Sequence, residues 1–480
     1  MEISNCKSDS AVGCTVRFIR GSILRNPPRL LKRRSLVLPL LSLLCAGRLM
    51  CFGANVNSRM EQIIQDYASR KQFSGAILVA QDGKILLDKG YGYANLEWNI
   101  PNSPTTKFQI ASMTKQFTAA SVLLLEERGK LNVDDPVKKY MPDAPPAWDK
   151  VTIYNVLTHT SGIPNSFDGI SSWRQTKTPE QLVASFRNKP LEFQPGETRK
   201  YSNAGYYLLG FLIERISRES YGDFVRENIF KPLGMNDSGY DSNSEVIPHR
   251  ASGYHLGPAG PENGDFYDMS LRFSAGGLYS TTEDLLRWEQ GLFGGKLLSS
   301  ASLKKMTTPF KYDFACGLMV SMIDGHPAIE HSGSMEGFTS DMVYYTNDKL
   351  TVIVLNNLSG ETKGIASKLA SVVHGEKVVL PSERKEVTVA PTVLARYVGT
   401  YYEFLPGYNL VVTLENGKLV SQVTGSGDYK EAKHVLTPES ETAFFQKEFE
   451  SDYQFVQNDK GEITSVLCTE AGHRMEGVRK

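Results

Sequence analysis

Cysteine is scarce in this chain, and most of it sits at one end. Cys6, Cys14, Cys45 and Cys51 fall within the first 53 residues, so only Cys316 and Cys468 of the six remain beyond them. Two such distant thiols do not make a disulfide framework. The eight histidines form no His-Glu-x-x-His and no Cys/His cluster with ligand spacing, so neither a metal nor a cofactor is expected. Gly-x-Ser-x-Gly is missing as well, which excludes the nucleophile elbow of an α/β-hydrolase. Net charge is absent, 53 Lys/Arg against 53 Asp/Glu, but residues 1–53 hold nine of the bases and two of the acids, leaving 44 against 51 beyond. A mildly acidic remainder gives no electrostatic reason to bind nucleic acid. No internal repeat or low-complexity segment is evident.

The basic start precedes an apolar run. Arg29, Lys32, Arg33 and Arg34 stand before residues 35–46, about 12 residues and too short to cross a bilayer. This is the pattern of a secretory signal, with cleavage near Gly53 or Ala54 and a weak twin-arginine element at Arg33-Arg34. The expectation is a secreted or periplasmic protein, compatible with association with the cell envelope. An uncleaved N-terminal anchor is the alternative. At 480 residues, 41% hydrophobic and 22% charged, the chain has the length for two domains and the composition of a soluble globular protein.

Met60, Ile63, Ile64 and Tyr67 have the spacing of an amphipathic first helix. Residues 76–80 and 84–89 read as a hairpin across Gln81-Asp82-Gly83. A middle of short helices and loops follows, with capping signals at Thr178-x-x-Gln181 and Thr281-x-x-Asp284. Strands are expected over 317–323, 328–331, 341–346 and 350–356, and a closing helix over about 363–373. Sequence-distant hairpins around a helical middle predict an α+β fold, an antiparallel sheet flanked by helices with a helical subdomain. Alternating segments 408–414, 418–423, 453–457 and 463–468, with a turn at Asn416-Gly417, predict a small all-β barrel or sandwich. The expected organisation is a targeting segment 1–53, a main domain 54–374, a polar linker 375–391 and a C-terminal β module 392–480.

Chemistry concentrates in three short motifs. Ser112-Met113-Thr114-Lys115 places an amine one helical turn from a hydroxyl, the geometry of an activated nucleophile. Ser4, Ser302 and Ser382 also have a lysine three residues on, but none opens an apolar helix. Ser112 does, with Phe117, Ala120, Ser121, Leu124 and Leu125 at helical spacing and Gly129 as the stop. Tyr201-Ser202-Asn203 follows 89 residues later, then His331-Ser332-Gly333. Tyr93 and Tyr345 repeat the Tyr-x-Asn pattern, one before the nucleophile and the other in a strand-like run.

The ordered triple resembles the penicillin-recognising serine hydrolases, in the branch that includes class C β-lactamases, D-Ala-D-Ala carboxypeptidases, D-aminopeptidases and related esterases. The segments GAILVAQDGKILLDKGYG, LTHTSGIP and SAGGLYSTTEDLLRW are similar to recurring parts of that family, so the likeness spans roughly residues 60–373. YVGTYYE, at 397–403, resembles the entry to lipocalin-like modules appended to such hydrolases. The resemblance implies a β-lactamase/transpeptidase-like fold with Ser112 as acylated nucleophile, Lys115 and Tyr201 sharing the proton transfers, and Asn203 holding the substrate amide or Lys115. It further implies that His331, Ser332, Gly333 and Ser334 form a strand edge lining the pocket, with the N–H groups of Ser112 and Ser334 as oxyanion hole. Adjacent cations are expected to lower the Tyr201 phenol, and a protonated His331 to anchor a substrate carboxylate, more weakly than the lysine of most β-lactamases. His159 is expected to order its loop. The favoured function is a secreted serine hydrolase acting on a small-molecule or peptide substrate, first as a D-amino-acid peptidase or carboxypeptidase. A short-chain esterase, a β-lactamase and a non-turnover penicillin-type sensor stay open, as does the oligomeric state.

Overall fold

The strand segments Gly75–Gln81 and Leu350–Asn356 are apolar along almost their whole length because they lie at the centre of a sheet covered on both faces. They pair antiparallel, Gly75 opposite Asn356 and Gln81 opposite Leu350. Alternate side chains enter different cores: Ala76, Leu78, Ile353 and Leu355 on one face, Ile77, Val79, Val352 and Val354 on the other. The computed structural model describes residues 56–480 apart from 166, 168, 169, 171, 426–428, 448 and 449. The segment 1–53, with its signal-like pattern and four cysteines, lies outside the described residues. Among these residues no helix is long and apolar enough to cross a membrane, and Cys316 and Cys468 are buried free thiols.

Six antiparallel strands make the sheet, in the order Met319–Ile323, His326–Met335, Phe338–Tyr345, Leu350–Asn356, Gly75–Gln81, Lys84–Tyr91. Two segments separated by more than 220 residues therefore meet in one sheet, as the distant hairpins predict. Several boundaries differ from the sequence reading; the strand expected over 341–346, for one, is Phe338–Tyr345. The strand expected over 328–331 runs from His326 to Met335, because Met319–Ile323 pairs with its first residues and Phe338–Tyr345 with Ala328 through Met335. The strand expected from Gly317 starts at Met319; Gly317 has φ +70°, and a Cβ there would stand 2.6 Å from the Lys115 carbonyl oxygen.

Helices 56–69 and Lys363–His374 cover one face through Met60, Ile63, Ile64, Ile365 and Leu369. On the other face the helix Thr114–Glu127 is buried continuously from Thr114 to Leu125, so it is a central helix with no free face. Around it pack the helices Asn203–Ser217 and Thr282–Phe293, whose N-caps Ser202 and Thr281 accept from the Gly205 and Asp284 N–H groups.

Beyond residue 398, eight strands from Gly399–Leu405 to His473–Arg479 close into an antiparallel barrel, Tyr401 opposite Arg479. Four of the eight were readable as alternating segments. Tyr397, Tyr401, Phe444 and Phe455 fill its interior, so the barrel is packed with its own side chains. It is tied to the sheet domain by ionic contacts. Glu450 accepts from Tyr67 and pairs with Arg70 at 3.1 Å and Lys368 at 2.9 Å, reaching both covering helices. His473 Nε2 lies 3.1 Å from Glu330 Oε1, and the Asp324 N–H donates to the Gly472 carbonyl at 2.8 Å.

Glu450→Ala removes the shared partner of three side chains. We expect a loss of about 1–3 kcal/mol in chemical unfolding, with a fall in stability shared by sheet domain and barrel. A change within 0.3 kcal/mol, about the noise of such measurements, would show that the barrel docks without this contact.

Candidate active site

Ser112 lies in a 3-10 turn, Ala111–Met113, that runs directly into the central helix. It is the partly exposed residue between two buried ones. Ala111 holds φ +46°, a left-handed conformation that costs a non-glycine residue about 1–3 kcal/mol and persists only where surroundings enforce it. They do. The Ile110 N–H donates to the Leu278 carbonyl at 3.0 Å, the Ser340 hydroxyl donates to the Ile110 carbonyl at 2.9 Å, and the Leu278 N–H donates to Thr114 Oγ1 at 3.1 Å. The strand His326–Met335 presses against this turn at Gly333, where a Cβ would stand 2.3 Å from the Ile110 oxygen. Glycine is required there by contact with backbone.

Lys115 is fully buried. Its Nζ lies 3.0 Å from Ser112 Oγ and donates to Asn203 Oδ1 at 2.9 Å and the Ala275 carbonyl at 2.8 Å. Burial, with the Arg272 charge second, holds its pKa well below the ordinary lysine value. A neutral amine has two hydrogens and one lone pair. The two carbonyl oxygens take the hydrogens, and the lone pair is left for the Ser112 hydroxyl.

Asn203 opens its helix, and its N–H and that of Ala204 donate to Asn165 Oδ1 at 3.0 and 3.2 Å. Tyr201 lies over Lys115, Nζ 4.8 Å from the ring centroid, and stacks on His159 at 4.6 Å. Burial pushes its phenol up to about 12, opposed by a hydrogen bond with Ser112. The expected lowering by cations is thus corrected: desolvation by burial dominates. His159 accepts the Ser202 N–H at Nδ1, 3.1 Å, and so orders the loop beneath Tyr201.

His331, Ser332, Gly333 and Ser334 occupy the strand edge that faces the Ala111–Met113 turn. The neighbouring strand stops at Met319, opposite Glu330, so this edge has no strand partner beyond that point. Ser334 is exposed and Ser332 half-buried. His331 is buried; burial first, and Lys115 second, push it down to about 3, and its Nδ1 donates to the Ser332 carbonyl at 2.7 Å. The protonated anchor expected from the sequence is corrected to a neutral ring at physiological pH.

Three of the decoy residues are accounted for, and Ser4 lies outside the described residues. Lys305 pairs with Glu126 at 2.8 Å instead of serving Ser302, Ser382 lies in a surface turn, and Tyr345 is a buried core ring. Arg272 and Asn165 were missed by sequence reasoning. Arg272 pairs with Glu336 and lies 3.7 Å over the Tyr267 ring; with Asn165, Phe167, Asn203 and Tyr207 it lines a cavity of about 320 Å³. The only signal was its place just before the FSAGG segment. No metal-ligand set surrounds Ser112 among the described residues; the one His/acid grouping lies elsewhere.

Comparison with known proteins agrees with this geometry. Residues 60–374, more than half of the chain, match the Beta-lactamase family. The chain belongs to that family. Penicillin-binding protein 4* of Bacillus subtilis (strain 168) is 29% identical over 457 residues, 88% of this chain and 99% of that protein. Among solved structures, the octameric penicillin-binding protein homologue from Pyrococcus abyssi aligns with TM-score 0.62 and 27% identity over 87% of this chain and 99% of its own. D-amino acid amidase from Ochrobactrum anthropi SV3 shares the fold, TM-score 0.60 at 24% identity, over 67% of this chain and 99% of that one. A Beta-lactamase-family chain with this site is a serine hydrolase.

The neutral His331 has a measurable consequence. Its folded-state pKa is depressed, so the unfolded chain takes the proton first and stability is lost as pH falls from about 6.5 toward 3. Wild type should lose about 1.4 kcal/mol per pH unit in that window relative to His331→Gln. Urea unfolding of both at pH 7, 6 and 5 checks it; a pH-independent difference would mean the ring titrates in the fold as it does in the unfolded chain.

Proposed function

We propose that this chain is a secreted hydrolase of peptide or amide bonds in D-amino-acid substrates, working through an acyl-enzyme on Ser112. The observation that carries the reading is the fully buried Lys115, whose pKa burial holds well below the ordinary lysine value, with two carbonyl oxygens on its N–H groups and its Nζ 3.0 Å from Ser112 Oγ.

Ser112 Oγ attacks the substrate carbonyl while its proton passes to Lys115 Nζ. The N–H groups of Ser112 and Ser334 receive the oxyanion. Tyr201, a phenol that stays protonated at neutral pH, gives its proton to the leaving nitrogen and is reprotonated from the Lys115 ammonium. Water then attacks the ester and restores Ser112. Asn203 fixes the amine, and the unpaired edge His331–Ser334 accepts an extended substrate backbone as an added strand. That edge favours a peptide over a short ester, which has no backbone to pair.

Relatives named for binding penicillin support a site that a β-lactam acylates. Slow release of that adduct is expected here, since the neutral His331 supplies no fixed cation for the β-lactam carboxylate. The basic and apolar N-terminal segment supports export.

Ser112→Ala should abolish turnover and leave the fold intact, since alanine suits a helix start. Lys115→Arg keeps a permanent cation with no lone pair and should lower kcat/KM by about 10²–10⁴-fold. The assay is a panel of D-Ala-terminated peptide, D-amino-acid amide, p-nitrophenyl ester and β-lactam, with mass spectrometry of the trapped adduct. Adduct on Ser112 without product from any of these would leave a sensor in place of an enzyme, and full activity in Lys115→Arg would remove Lys115 as base.

A further inference from the structure

Two cavities meet at the end of the strand His326–Met335. One is the cavity beside Asn203; the other, about 480 Å³, is lined mainly from residues 243–253, 264–269 and 335–338. Tyr267 and Glu336 line both. Glu336 follows Met335 in the two-residue turn that leads to Phe338. Burial alternates along this edge, Ser332 and Ser334 open to solvent and Gly333 and Met335 buried, so Glu336 returns to the open side. Ser334 carries one of the two N–H groups assigned to the oxyanion. Two residues of strand set Glu336 about 7 Å further along.

The turn holds this side chain in place. Gly337 has φ +77°, and a Cβ there would stand 2.5 Å from the Gly253 carbonyl carbon, so backbone contact fixes the turn. Arg272, just before the helix Phe273–Gly276, pairs with Glu336 Oε2 while lying over the Tyr267 ring. The other oxygen, Oε1, accepts no hydrogen bond from a described residue, on a side chain that is still 29% exposed. Arg250 is the other cation among the described lining residues, and it donates to Asp241 Oδ1 at 2.5 Å and to the Ser242 carbonyl at 3.0 Å. Both cations are therefore occupied. Glu245 and Asp265 on the exposed rim add negative potential to the larger cavity without making a contact in it. A substrate carboxylate entering here meets no free cation among the described lining residues, whereas a substrate cation meets a carboxylate oxygen already oriented by Arg272.

We propose that Glu336 is a specificity-determining residue, its Oε1 receiving the α-ammonium of an unblocked amino-terminal D-residue whose own carbonyl Ser112 attacks. The inference rests on the hydrolase reading above and gives it a direction: the bond cut is the one after a free amino-terminal residue, as in an aminopeptidase or an amidase, and not the one before a carboxyl-terminal residue. The distances suit a single residue. An α-nitrogen lies two bonds from its carbonyl carbon, about 2.5 Å away, so a carbonyl held between Ser112 and the Ser334 N–H carries its ammonium toward the end of the strand, and the Glu336 side chain spans the remaining interval. An acylated nitrogen has no charge and places its blocking group where the carboxylate stands, so the same contact that selects a free amine rejects a blocked one. Arg272 fixes the carboxylate and Glu336 touches the substrate.

The test compares three substrates on the whole purified chain: D-alanine p-nitroanilide, N-acetyl-D-alanine p-nitroanilide and the capped dipeptide N-acetyl-D-Ala-D-Ala. In the unsubstituted protein kcat/KM for the free amine should exceed that for the acetylated anilide by about 10–100-fold, the weight of a hydrogen bond to a charged group, and the capped dipeptide should be slowest. Glu336→Gln keeps the size of the side chain and removes its charge, so it should abolish the preference between the two anilides. Any effect that this change passes through Arg272 to Lys115 weighs on both anilides and cancels in their ratio. Glu336→Asp keeps the charge and should keep a preference of the same sign. The ratio in the unsubstituted protein is measured without any variant having to fold. Equal rates on the two anilides, an unchanged ratio in Glu336→Gln, or fastest cleavage of the capped dipeptide would each overturn the role of Glu336 and leave a D-amino-acid hydrolase in place. Hydrolysis of none of the three would overturn that reading and this one together.

Discussion

The burial of one amine governs the rest of the site. In water Lys115 would be a cation and could only orient a neighbour; burial in the central core lowers its pKa well below the ordinary lysine value and so favours the form that can act as a base. That state has structural requirements. Two carbonyl oxygens, from Asn203 and Ala275, must take its hydrogens, and they come from a helix start and a short helix more than 70 residues apart. The strained Ala111 must be held so that Ser112 meets the remaining lone pair. The helical middle and the sheet are thus positioned about a single nitrogen.

The strand His326–Met335 carries the second constraint. Pressed against the nucleophile turn at Gly333 and paired from Ala328 through Met335 with Phe338–Tyr345, it delivers the His331–Ser334 edge at a fixed distance from Ser112. Its neighbour Glu330 is buried on the opposite face and meets His473 of the barrel. The barrel touches the back of the strand whose front edge lines the site, which gives it a supporting role.

Much of this was legible in the sequence, for local reasons. Dipeptides such as Asp324-Gly325 and Asn416-Gly417, both with positive φ at each residue, fix hairpins by their own conformational preference. Ser112, Lys115, Tyr201, Asn203 and the His331 strand were readable as an ordered triple, and the structure brings them together around Lys115. The signs of the charges were not readable. A sequence shows Lys115 as a cation and so predicts a lowered Tyr201 phenol; only three-dimensional burial reveals the lowered amine and the raised phenol. His331 misleads in the same way. Arg272 and Asn165 stand in no motif, so no spacing rule detects them.

The charge pattern that results bears on specificity. With Lys115 and His331 both held by burial below their ordinary pKa, Arg272 is the cation among the described residues lining the cavity beside Asn203. It is not free, since Glu336 pairs with it and Tyr267 lies under its guanidinium. An anionic substrate group entering that cavity would compete with Glu336 for Arg272, whereas a neutral amide would leave the pair intact. The Arg272 charge also helps keep Lys115 unprotonated, so neutralising it with a tightly held anion raises the proton affinity of the base. Recognition and base strength are coupled through one guanidinium, and that coupling sets a limit on how strongly the site can hold an anion while still activating Ser112.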